Sequence, residues 1–267
     1  MSGGDCDHPP HPLLEGVYLK IGRAAHHLQA LDEVVTEYLD AHVETSEPAA
    51  GSKPGHYVFK ARVTQPPPME LSLFVGDFAH NARSALDHLV TAMLERNGKP
   101  IARRSAFPIY RDQKHYEIRG RFALEGLTHP QKQLVERLQP YRNTRGGMRL
   151  ARLSDLNNVD KHRTLHPVVL RTGATQPGIE LSGLLDQRPA VVSYRSGREL
   201  SDGAEVFDVQ LPTDPEPDVR MKGHIPVDLG VRHGSIIYTG PEINDLLATP
   251  AKSRASSRAS SSPDHRR

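Results

Sequence analysis

Hydrophobic positions along the chain recur with two different periods. Leu14, Val17, Ile21, Leu28, Leu31, Val35, Tyr38 and Leu39 fall three or four apart, with Ala24 and Ala25 between them. That spacing builds one apolar helical face and predicts a long helix from about Pro12 to Ala41. Pro12 suits a first helical turn. Glu47-Pro48 ends the helical stretch, and 49–54 reads as loop. Tyr57, Phe59, Ala61 and Val63 alternate with polar or exposed partners, which predicts a strand closed by Pro66-Pro67-Pro68. A second long helix is expected over 70–97, stopped by Gly98 and Pro100. Residues 101–120 read as irregular, rich in basic and aromatic side chains. Shorter helices are expected over 130–138 and 147–165.

Beyond residue 165 the period shortens to two. Runs at 168–170, 179–181, 190–194, 206–211 and 219–227 are separated by Gly, Pro and Asp and read as strands, with a short helix over 242–247. The fold class that follows is α+β: an N-terminal helical bundle, then a mainly antiparallel β-sheet region. The expected organisation is a disordered leader over 1–11, the bundle with its one strand over 12–165, the β-rich region over 166–247 and a disordered Ser/Arg tail over 248–267.

Composition narrows the function classes. The formal net charge of +2 misleads, because residues 251–267 carry five cations against Asp264, a net +4 that leaves −2 for the rest. Any nucleic-acid site must therefore be local. There is no apolar run of about 18 residues, so no membrane span is expected. The N-terminus has neither a basic start nor an apolar stretch, and the single Cys6 lies within it. A cytoplasmic location is the expectation from these features. Neither a GxxxxGK[ST] nor a GxGxxG loop occurs, and no GxSxG elbow is present.

The chemistry concentrates in two stretches. On a wheel of 70–97, Asp77, Asn81, Ser84, His88 and Thr91 lie opposite the apolar face, flanked by His80 and Asp87. These are short side chains able to form specific hydrogen bonds or move protons, where a surface helix would carry Lys and Glu. They either satisfy one another in a packed bundle or line a site. The second stretch is Ser154 to Arg163, in which Asp155, Asn158 and His162 share a face beside Lys161 and Arg163. It offers charge and donors to a phosphate, or simply cations at a helix C-terminus. Asp77, His80, His88, Asp155 and His162 are also conceivable metal ligands, which would make the protein a metal-dependent hydrolase.

Arg83-Ser84-Ala85-Leu86-Asp87-His88 resembles the Arg-x4–6-His motif of the HEPN superfamily, whose members are small helical bundles, many of them metal-independent ribonucleases of defence, toxin and RNA-processing systems. The paired long helices over 12–165 are similar too. The resemblance implies a catalytic pair, His88 as general acid/base and Arg83 holding the phosphate. It implies Asn81 or Asp87 as orienting groups; where the family often carries Asn, Asp or His directly after the Arg, this chain has Ser84. Ser84, Asn158, Lys161, His162 and Arg163 stand beside them as candidate substrate-binding or orienting residues on their own chemistry. The resemblance implies RNA as partner, a homodimer, and neither metal nor cofactor. The competing expectation is a non-enzymatic binding or structural protein whose polar helix stripe is a buried hydrogen-bond network.

Overall fold

The computed structural model describes residues 11–171, 178–182, 191–194, 199–212, 220–224 and 226–247. The expected leader and tail lie outside these residues, apart from His11. A 3-10 turn over Pro12–Leu14 runs into α1 (Glu15–His42), followed by β1 (Val43–Thr45), β2 (Ala49–Ala50) and β3 (His56–Val63). Then come α2 (Glu70–Arg96), α3 (Gln113–Ile118), a 3-10 turn over Gly120–Leu124, α4 (His129–Arg137) and α5 (Arg145–His162). The strands β4 (His166–Arg171), β5 (Gly178–Ser182), β6 (Val191–Tyr194), β7 (Glu199–Leu200), β8 (Glu205–Gln210), β9 (Arg220–His224), β10 (Val227–His233) and β11 (Ile236–Thr239) lead to α6 (Gly240–Asp245). The α+β expectation holds, and the pairings among the described strands are antiparallel.

Helix ends are set by local chemistry. Thr144 caps α5 by accepting the Gly147 N–H at 3.0 Å, and Thr239 and Glu242 form a capping box on α6. Asp112 accepts the His115 N–H at 2.9 Å and starts α3 within the stretch expected to be irregular. Two short strands, β1 and β2, also stand where no strand was expected, as edges zipped onto β3. The single strand expected over 219–227 is two strands: β9 ends at His224, and β10 begins at Val227 and returns through a turn at Gly234 (φ 58°) into β11. The helix expected over 147–165 stops at His162, and Leu165 instead enters the core.

One sheet is ordered β1-β3-β8-β6 with β2 also on β3, and another is ordered β11-β10-β4-β7. β3 carries the N-terminal half into the C-terminal one. Phe59 pairs with Phe207 in register, their rings stacked at 4.5 Å, and Gly223 of β9 lies over both. A Cβ on Gly223 would come within 2.8 Å of either ring. The main core joins Leu28, Leu31 and Tyr38 of α1, Val75 and Phe78 of α2, Leu156 of α5, and Val169, Phe207, Leu229 and Ile243. A second core at the far end of α2 gathers Val90, Leu94, Phe107, Tyr116, Leu124 and Val135. No described helix is long and apolar enough to cross a membrane.

Candidate functional site

α2 packs between α1 and α5, so its two polar edges meet different neighbours. Along the α1 edge, Asp77 stands 3.9 Å from His27 Nδ1. Asn81 is buried, donates to the Asp77 carbonyl at 2.8 Å and accepts from Lys20 Nζ at 3.3 Å. His88 lies against Gly16, where a Cβ would meet its Nδ1 at 2.5 Å. Burial holds the His27 imidazole below its ordinary range, only partly countered by Asp77. Asn81 is thus buried where the two antiparallel helices meet, while Asp77, 63% exposed, and His88 stay at the solvent-facing edge of the same line. The sequence shows that line but not that α1 covers only Asn81 of these three.

On the α5 edge, Gly76 lets the Asp160 carboxylate settle directly on α2. Burial and the neighbouring Asp77 raise that carboxyl, while His80 and Lys161 pull it down. Farther along, Arg83 Nη1 donates to Asp87 Oδ1 at 2.7 Å and Nη2 to the Phe107 carbonyl at 2.7 Å. Asp87 Oδ1 also accepts the Phe107 N–H at 2.8 Å. Both polar groups of one loop residue are therefore held by one i, i+4 ion pair. Buried Gln139 repeats the device two residues on, accepting from Tyr110 N–H at 3.0 Å and donating to the Pro108 carbonyl at 2.8 Å.

Among the described residues Arg83 and His88 meet different neighbours, Asp87 and Phe107 for Arg83 and Gly16 for His88. Five residues separate them by about 140° on a helix, and the Arg83 guanidinium is engaged with Asp87 and Phe107. Arg83 does meet the second polar stretch. It lines a cleft of about 490 Å³ together with Ser154, Asn157, Asn158 and Lys161 of α5, and with Arg104, Phe107, Tyr110, Arg119 and Phe122 of the connecting segment. Ser84 stays half-buried on α2. His162 and Arg163 are exposed at the end of α5, and Arg163 Nη1 turns to His233 of β10 at 3.3 Å.

Among the described residues no carboxylate lines the cleft. Arg83 is answered by Asp87 and Arg104 by Glu125. Arg119 and Lys161 make no salt bridge among the described residues. Asn157 is 4% exposed yet makes no side-chain hydrogen bond among the described residues. No side-chain nitrogen or oxygen among the described residues is both fully buried and unpaired, so the Asn157 amide atoms keep contact with solvent at the cleft as donor and acceptor. Phe122 stands at the same cleft and is 62% exposed. Arg104, Arg119 and Phe122 are the residues that reading the sequence for motifs misses, and Asn157 lies in the 154–163 stretch without standing out there. The first three belong to no spacing pattern, and the segment that carries them is held at Phe107, Pro108 and Tyr110 by Arg83, Asp87 and Gln139. Among the described residues no group of three or more His, Cys, Asp or Glu side chains is arranged to hold a metal. No protein-family model, curated protein or solved structure matches this chain.

Proposed function

We propose that the chain binds single-stranded RNA, holding the phosphate backbone in the cleft between α2, α5 and the segment 101–124. The observation that carries this reading is the convergence of Arg119, Lys161 and the unbonded Asn157 amide on one carboxylate-free cleft with an exposed Phe122. The cations attract phosphate, and Asn157 and Asn158 supply directional hydrogen bonds. Phe122 offers a face on which a base can stack, worth about 1–3 kcal/mol. Arg83 acts here as a fixed part of the wall. The reading is of binding rather than cleavage, because His88 lies on the α1 edge and brings no acid/base group to the phosphate.

Fluorescence anisotropy with a labelled mixed-sequence 12-mer RNA tests it. Binding weakens with salt, and Lys161→Gln and Arg119→Gln each reduce the log–log salt slope by about 0.7. Phe122→Ala weakens binding about tenfold. His88→Ala binds like the wild type, and the RNA stays intact in chelator or divalent metal. An RNA affinity unchanged by all three cleft substitutions would overturn the assignment. Cleavage lost in His88→Ala would restore the nuclease expectation.

A further inference from the structure

A second cavity lies on the opposite side of α2, and the RNA reading does not use it. It encloses about 180 Å³ where α1, α2, β10 and α6 meet. Its walls are aliphatic, with Leu31 and Val35 from α1, Val75 from α2, and Val231 and Ile243 beyond. Two glycines, Gly230 and Gly240, line it as well. A Cβ on Gly230 would stand 2.8 Å from the Tyr238 carbonyl, and one on Gly240 would stand 3.1 Å from both Asp228 carboxylate oxygens. Backbone excludes a side chain at Gly230, while one at Gly240 would have to displace the Asp228 carboxylate by a few tenths of an ångström.

The charged groups that line this cavity among the described residues are of one sign, with the neutral Asn244 beside them. Asp228 and Asp32 both line it, and its lining includes no Lys, Arg or His. Asp228 Oδ1 accepts the Leu229 N–H at 2.7 Å, which orients the carboxylate on β10. Among the described residues neither aspartate has a cationic partner within salt-bridge distance. Burial raises the Asp228 carboxyl above its ordinary range, the Leu229 N–H bond pulls it back in part, and the Asp32 charge adds a smaller upward push. An apolar chamber with half-buried Asp228 and exposed Asp32 on its rim is the complement of a ligand with an apolar body and a positive head.

We infer that this cavity is a binding site for a small organic cation, a protonated primary amine with an aliphatic body. The volume accommodates roughly six water-sized groups, so an amine of about five carbons fits. The ammonium meets Asp228 and Asp32, and the alkyl body lies against Leu31, Val35, Val75 and Val231.

The test is an amide-resolved NMR titration of the full chain with pentylammonium chloride, with 1-pentanol and pentanoate as matched controls. Pentylammonium is expected to shift Leu229, Gly230 and Val231 amides saturably, with 1-pentanol at least about tenfold weaker and pentanoate silent. Asp228→Asn keeps the acceptor for Leu229 N–H and is expected to weaken the amine about tenfold while leaving 1-pentanol unchanged. Val35→Phe, which fills the chamber, is expected to abolish both, and it serves where Asp228→Asn does not fold. Absence of shifts with pentylammonium, equal affinity for the alcohol, or amine binding untouched by either substitution would overturn the assignment.

Discussion

Removing the Asp87 carboxylate isolates what Arg83 does. In the wild type Asp87 Oδ1 takes two donors, Arg83 Nη1 at 2.7 Å and Phe107 N–H at 2.8 Å. Hydrogen bonds to a charged group contribute about 1.5–3 kcal/mol each in dry surroundings. The Arg83 side chain is 19% exposed and that of Asp87 39%, so water screens part of this. Asp87→Ala is therefore expected to destabilise by about 2–3 kcal/mol. Asp87→Asn keeps an acceptor for Phe107 N–H and is expected to cost about 1 kcal/mol. Arg83→Lys loses the fork that spans Asp87 and the Phe107 carbonyl, and is expected to fall between the two. Urea unfolding measures each value, and a double-mutant cycle of Arg83→Met with Asp87→Ala yields the pair term, about 1–2 kcal/mol. A coupling near zero, with Asp87→Ala within about 0.5 kcal/mol of wild type, would refute the account. Arg83 would then be free to act on a ligand rather than to hold the wall.

Gly76→Ala places a Cβ against the Asp160 carboxylate and is expected to lose about 1 kcal/mol despite the better helix propensity of alanine. The double variant with Asp160→Ala should recover that loss in the same urea assay. Gly147→Ala meets backbone, the Gln139 carbonyl at 2.6 Å, and is expected to cost about 2 kcal/mol or more, read as a lower thermal midpoint. Tyr116 is almost fully buried, and burial first, then the Glu136 charge, push its phenol up to about 12. Its raised folded value means that its contribution is complete below pH 10 and is lost as pH rises toward 12. Alkaline unfolding should therefore shift to higher pH in Tyr116→Phe. Asp245, held to about 2 by hydrogen bonds from Arg149 and Arg145, stabilises the α5–α6 contact above its ordinary pKa and releases it as pH falls toward 2. Carboxyl-resolved NMR on Arg149→Gln should show that value rise.

The helices were legible because burial imposes a period that long segments repeat many times. Leu28, Leu31 and Tyr38 on α1, and Leu71, Phe78 and Ala82 on α2, face the core as the spacing predicts, joined by Val75, which the spacing does not single out. The strands were legible in part. Leu229 and Val231 alternate cleanly with Asp228 and Gly230, but the turn at Gly234 needed to be read as a hairpin for β10 and β11 to separate. α3 is only six residues long and rests on one cap and on Tyr116, a tertiary anchor. For the candidate site the limit is the same. A wheel orders Asp77, Asn81, Ser84 and His88 on one helix, but only packing decides that α1 covers Asn81 while α5 meets Arg83. The cleft lies between elements, and its far wall comes from a segment with no period.

The placement of β3 has a consequence for how the chain is made. Phe59 is completed by Phe207, almost 150 residues later, and β3 finds its partner β8 only when that segment exists. Helices α1 and α2 can form and pair early, since their contacts are close in sequence. The sheet that seals them cannot. During synthesis the bundle therefore carries an unpaired, apolar β3 edge until about residue 210 has emerged. That interval is when a chaperone, or an errant strand from another molecule, would find this protein.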